Sequence, residues 1–141
     1  MTYEQWDTVA DAVNPLMAIV TLGLPLVTHS RYSGGRLAFY LAGVVSMAAM
    51  YGLGWLDARW YVWESVGMDY STHSGFVAVL VVSMWLWKRT AGVAAAAIGV
   101  AYAVLMLYQR YHTIEDIVST VAVIAALTLA IHHLMRGQDP R

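Results

Sequence analysis

The chain has 141 residues, 60% of them apolar and 12% charged, with six tryptophans and nine tyrosines, and its mean hydropathy is +0.57. A soluble globule needs far more polar surface than this, and a disordered chain far fewer large apolar residues, so both are excluded. A formal charge of −1 supplies no basic field for a nucleic-acid partner, and the absence of cysteine removes disulfides, thiolate metal sites and a cysteine nucleophile.

A hydrocarbon core of about 30 Å takes roughly 20 helical residues to cross. Five apolar runs bounded by charges or turn residues lie at about 11–28, 37–56, 73–87, 91–108 and 117–134. The expected fold is all-α: a single integral membrane domain over residues 1–141, built as a bundle of about five transmembrane helices. The segment before the first run is acidic at Glu4 and Asp7 and lacks the basic flank of a signal peptide, so this run reads as a retained span. Pro15 suits a first helical turn, and Pro25 a kink or an end. The third run is short unless the polar stretch Ser71-Thr72-His73-Ser74 belongs to the same helix. Ala94 to Ala97, in the fourth, suits close helix packing.

Arg31, Arg36, Lys88, Arg89, Arg136 and Arg141 fall on one side of this arrangement, and only Arg59 and Arg110 on the other. The positive-inside rule then predicts a cytoplasmic C-terminus and an outside N-terminus, in a cell membrane. Trp60, Tyr61 and Trp63, in the longest outer connection, suit an aromatic belt, or a lid that delivers Arg59 to a site. His132 and His133, close to Arg136, suit the end of the fifth span, where a helix favours positive charge.

Ionisable groups near membrane spans are costly, so they are the candidates for function. The third span opens with Asp69-Tyr70-Ser71-Thr72-His73-Ser74-Gly75 and the fifth with Arg110-Tyr111-His112-Thr113-Ile114-Glu115-Asp116. Both spans run in the same direction, so His73 and His112 arrive at one face of the bilayer. His112 and Asp116 are four apart and share a face if the helix starts by His112. The carboxylate can then take the imidazole Nδ1 proton and leave Nε2 as a nucleophile or base. Glu115 points elsewhere. A metal or haem site on His73, His112 and Asp116 is a third, weaker reading of the same groups.

Tyr70-Ser71-Thr72-His73-Ser74-Gly75 resembles the Ser-Gly-His signature of the type 2 phosphatidic acid phosphatase superfamily. His112-Thr113-Ile114-Glu115-Asp116 resembles its His-x-x-x-Asp signature. The wording is most similar to the sphingomyelin synthase branch, and the single helical hairpin between the two strings also fits. The resemblance covers roughly residues 53–134 and implies the phosphatidic acid phosphatase core, a lipid phosphate phosphatase (hydrolase) or lipid phosphotransferase (transferase), and a phosphohistidine intermediate. It implies that His112 attacks phosphorus, that Asp116 orients it, that His73 protonates the leaving oxygen, and that Ser71 and Thr72 help to hold the phosphate. It implies no cofactor and no metal.

The chain departs from that family in four ways. It lacks the Lys-x6-Arg-Pro motif, it has Met106 six positions before His112 where the family phosphatases carry Arg, Thr72 stands for the Gly of Ser-Gly-His, and five spans are visible where the family has six. Arg110 and Arg59 are the outer cations available to replace the missing phosphate clamp. The expected partner is a membrane lipid phosphate, a phospholipid or an isoprenoid or sphingolipid phosphate. A second copy of the chain can complete the bundle as a homo-oligomer. The alternative to an enzyme is a lipid-binding or scaffold protein of the same fold without activity.

Overall fold

A computed structural model describes residues 3–30 and 32–136. Met1, Thr2, Arg31 and residues 137–141 lie outside the described residues, and with them two of the basic residues used for orientation, Arg31 and Arg141. Five helices follow in order: α1 (Tyr3–Val27), α2 (Gly35–Trp60), α3 (Thr72–Trp87), α4 (Arg89–Tyr108) and α5 (Ile114–Met135). A 3₁₀ turn occupies Glu64–Val66, and there is no strand among the described residues.

α1, α2, α4 and α5 are long and apolar enough to cross a membrane, and α3 is a shorter apolar helix of 16 residues. The molecule is therefore an all-helical membrane bundle, as the composition requires. Leu16, Ile19, Leu26, Leu37, Val44, Val100 and Val104 all stand exposed on the outer helix faces. In water such a surface would aggregate; against lipid tails it needs no covering.

The helices outrun the apolar runs. α1 begins at Tyr3 rather than near residue 11, and α2 continues through Asp57 and Arg59 to Trp60. Hydropathy ends where polar residues begin, whereas the backbone ladder does not. Pro15 consequently sits inside α1 and not in its first turn. Lacking an N–H, it leaves the Asp11 carbonyl without its i→i−4 partner. Pro25 lies near the helix end.

Short α3 is the hub, packing on α1, α2, α4 and α5. Val77, Ala78, Val79, Leu80, Ser83 and Met84 are all buried, covering every side of the helix, as expected of a helix that is apolar all round. Only Lys88, in an extended conformation, separates α3 from α4. The hairpin closes because residue 92 is glycine: a Cβ there would lie 2.4 Å from Trp85 Cα.

The start of α3 is recessed. The Ser71 N–H donates to Thr120 Oγ1 at 3.1 Å, and Thr120 lies in the second turn of α5, about 9 Å below its start at 1.5 Å per residue. The Tyr70 hydroxyl donates to the Met50 carbonyl at 2.8 Å, its ring lying where a Cβ on Gly54 would approach Tyr70 Cε1 to 2.9 Å. These contacts pull the polar stretch before α3 down between α2 and α5.

At the opposite end, His132 is wholly buried and is not the charged helix terminus expected from its position. The Tyr32 hydroxyl lies 2.7 Å from its Nδ1 and the Ser83 hydroxyl 3.1 Å from its Nε2. Phe39 and Tyr32 pack against its ring. Neighbouring His133 is exposed.

Candidate functional site

α4 ends in a turn that aims the following residues. The Tyr111 N–H donates to the Met106 carbonyl and the Arg110 N–H to the Leu107 carbonyl, the paired bonds of a Schellman motif. That motif needs a left-handed residue at its bend, and here it is Arg110, at φ 59°. Glycine is usual there because a side chain costs roughly 1–2 kcal/mol in this conformation. The bend carries Tyr111 and His112 back over the bundle, where the Tyr111 hydroxyl donates to Asp7 of α1.

α5 then starts with a capping box. Thr113 Oγ1 accepts from the Asp116 N–H at 3.3 Å, and Asp116 Oδ2 accepts from the Thr113 N–H at 2.8 Å. The helix therefore begins at Ile114, and His112 stands one residue before the cap instead of within the helix. The other oxygen of Asp116, Oδ1, accepts from the Asp69 N–H at 2.7 Å. One buried carboxylate thus ties the approach to α3 to the start of α5.

His112 Nδ1 lies 3.9 Å from Asp116 Oδ2 and 3.6 Å from Asp69 Oδ2. Neither distance is a hydrogen bond, and this nitrogen is buried with no other partner. Asp69, not singled out by the sequence reasoning, is the nearer carboxylate, and its side chain is 73% exposed. Nδ1 is thus the ring nitrogen nearest the two acids, bonded to neither of them.

His112 and His73 line one cleft of about 260 Å³. Ala10 and Asp11 of α1, Tyr102 and Met106 of α4, and Tyr111 complete its wall. His73 is exposed in the first turn of α3. Two imidazoles from different parts of the chain therefore face a common space large enough for a phosphate-sized group.

The remaining candidates lie elsewhere. Ser71 is wholly buried as the N-cap of α3, where its Oγ accepts from the Ser74 N–H at 3.3 Å and lies 2.8 Å from Ser74 Oγ. Thr72 is exposed but is not part of the cleft wall. Arg59, on the last turn of α2, and Arg110 are both exposed, and neither lines the cleft. Glu115 is exposed. No group of three or more histidine, aspartate or glutamate side chains suited to a metal ion occurs among the described residues.

The sequence reasoning also left Asp11 and Tyr111 out of the site: the packing of α1 against α3 and α4 brings Asp11 there, which no local spacing encodes, and the turn after α4 brings Tyr111. Asp116 is different. Thr113-Ile114-Glu115-Asp116 is a capping-box string, a signal that could have found its bond to the Thr113 N–H but was not read from the sequence. Comparison with protein-family models, curated proteins and solved structures finds no match to this chain.

Proposed function

We propose that the protein is a membrane lipid phosphate phosphatase or phosphotransferase that works through a phosphohistidine on His112. The observation that carries the reading is the common cleft of His73 and His112, with two carboxylates beside Nδ1 of the second. His112 Nε2 attacks phosphorus and the bond from phosphorus to the alcohol oxygen of the lipid breaks, His73 giving that oxygen its proton. Water or a second alcohol then attacks phosphorus, the phosphorus–nitrogen bond breaks, and the proton of the attacking group passes to His73. The work is positioning and charge stabilisation. With Arg59 and Arg110 outside the wall, positive field falls to the proton that His73 donates and to the His73 N–H group in the first turn of α3, where N–H groups have no intrahelical acceptor. The recessed start of α3 keeps this chemistry at headgroup depth. The basic residues at the other end of the bundle support an extracytoplasmic cleft.

A second reading rests on one feature of the wall: it contains Asp11 and, among the described residues, no lysine or arginine. A carboxylate facing a phosphate is repulsive and works against phosphoryl transfer in this cleft, which favours a scaffold or lipid-binding role without turnover. The deciding measurement uses purified protein in detergent micelles with a lipid phosphate, following both free phosphate and transfer to an added lipid alcohol. Turnover abolished in His112→Ala and in His73→Ala supports the enzyme. Lipid binding without either product supports the second reading, and turnover unchanged in His112→Ala refutes the assigned nucleophile.

A further inference from the structure

The end of the bundle away from His112 contains a second cavity, of about 830 Å³, walled by the start of the α1–α2 connection, the α3–α4 turn and the end of α5. His29, Lys88, Arg89 and Arg136 all line it, and among the described residues no acidic side chain does. No ion pair involves any of these four side chains among the described residues.

Two of the cations are held by aromatic faces instead of carboxylates. The Arg136 guanidinium lies over the Tyr32 ring at 4.7 Å and the Arg89 guanidinium over Trp85 at 5.9 Å. A stacked guanidinium keeps its N–H edge available for an anion, and phosphate matches that edge in bidentate fashion. Arg136 Nε is moreover buried with no hydrogen-bond partner among the described residues, a state that is costly unless something accepts from it.

The wall is built rather than loose. The Ser30 hydroxyl donates to the Trp87 carbonyl at 2.6 Å and accepts from the Tyr32 N–H at 2.9 Å, and Trp87 Nε1 donates to Thr28 Oγ1 at 3.0 Å. These bonds tie the α1–α2 connection to the end of α3 and fix the space between the cations. A scattered set of snorkelling side chains would show no such frame.

The geometry points to a binding site for a phosphate monoanion or diester in this cavity, its natural source being the headgroup of an anionic phospholipid. The argument is independent of the chemistry assigned to His112. Basic pockets between transmembrane helices at the membrane surface suit such headgroups, each Lys or Arg near the surface adding about 1 kcal/mol, or roughly fivefold in affinity.

The test uses the purified full chain in neutral detergent, with binding of short-chain phosphatidylglycerol, phosphatidylcholine of the same chains, and inorganic phosphate each measured by native mass spectrometry and by thermal shift. Phosphatidylglycerol is expected to bind about tenfold or more tightly than phosphatidylcholine, the zwitterion offering the same phosphate with its charge cancelled. The exposed pair Lys88→Gln/Arg89→Gln should weaken phosphatidylglycerol roughly 30-fold. Arg136→Gln should also weaken it, and because that residue packs on Tyr32 the exposed pair carries the result if Arg136→Gln misfolds. Inorganic phosphate that binds alone and competes, through the same side chains, supports the site with free phosphate as its source; phosphate without effect beside tight phosphatidylglycerol supports the lipid headgroup. Equal binding of the two lipids, or unchanged phosphatidylglycerol binding in the Lys88→Gln/Arg89→Gln variant, overturns the proposal.

Discussion

Replacing Asp116 by Asn tests whether this carboxylate is chiefly a catalytic partner or chiefly a fastener. Its two oxygens accept backbone N–H bonds at 2.7 and 2.8 Å from Asp69 and Thr113, and the side chain is only 8% exposed. Hydrogen bonds to a charged acceptor contribute about 1.5–3 kcal/mol each, and a buried donor left unpaired costs about 1–3 kcal/mol. An amide offers one oxygen and one NH2, so in either flip one backbone N–H faces another donor. Asp116→Asn should therefore destabilise the fold by about 2–4 kcal/mol, and Asp116→Ala by somewhat more. Asp69→Asn is the contrasting change: its backbone N–H bond to Asp116 survives, its side chain is mostly in solvent, and the stability effect should stay within about 0.5 kcal/mol. Denaturant unfolding in detergent micelles measures both, and turnover of a lipid phosphate measures the effect on His112. The expected pattern is a stable Asp69→Asn with reduced kcat, and an Asp116→Asn that loses stability and kcat together. An Asp116→Asn protein as stable as the parent would refute the fastening role, and unchanged turnover in stable Asp69→Asn would remove Asp69 from the orientation of the imidazole.

Arg110→Gly should stabilise the protein by about 0.5–1 kcal/mol in the same unfolding assay, because glycine accepts the left-handed bend that an arginine side chain strains; a loss of stability would show that the guanidinium makes a contact worth more than the strain. Gly92→Ala should cost about 3 kcal/mol or prevent folding, since its Cβ would meet the Trp85 backbone and the α3–α4 hairpin would have to open; wild-type unfolding would refute the close approach. Burial, assisted by the Asp57 carboxylate, pushes the Tyr70 phenol up from 10.0 to about 12. The folded chain then holds that proton more tightly than the unfolded one, so its contribution to stability is intact below pH 10 and declines as the pH rises toward 12. A phenolate absorbance titration should lose the amplitude of one phenol from its component near pH 12 in Tyr70→Phe, and an unchanged curve would count against the buried phenol.

The number and order of helices were legible in the sequence because the bilayer asks for apolar length, and apolar length is a local property. The helix ends were not. Asp7 and Asp11 on α1 and Asp57 and Arg59 on α2 are polar enough to end an apolar run but fully compatible with the helical ladder. Asp57 even helps to close its helix, its side chain accepting the Trp63 N–H at 2.7 Å. The capping of α5 was written plainly in Thr113 and Asp116, yet the four-residue spacing from His112 drew attention to a shared helix face that does not form, since His112 precedes the cap. The burial of His132 and the convergence of Lys88, Arg89 and Arg136 at the far end depend on how the helices meet, which no window of sequence contains.

The two roles open to Asp116 do not exclude one another. Each carboxylate oxygen has two lone-pair directions, and each spends one on a backbone N–H. Oδ2 can still face the His112 imidazole, 3.9 Å away in the present geometry, and a shift of about 1 Å on substrate binding would bring it into hydrogen-bond range. Asp69 is even closer at 3.6 Å and is held there by the same carboxylate, through its own backbone. A helix cap that fixes two loops thereby also sets the position of both acids beside one imidazole nitrogen. A pattern that resembles a catalytic signature can therefore coincide with a capping box: the rigidity that begins α5 is the rigidity that the nucleophile proposed at its entrance would require.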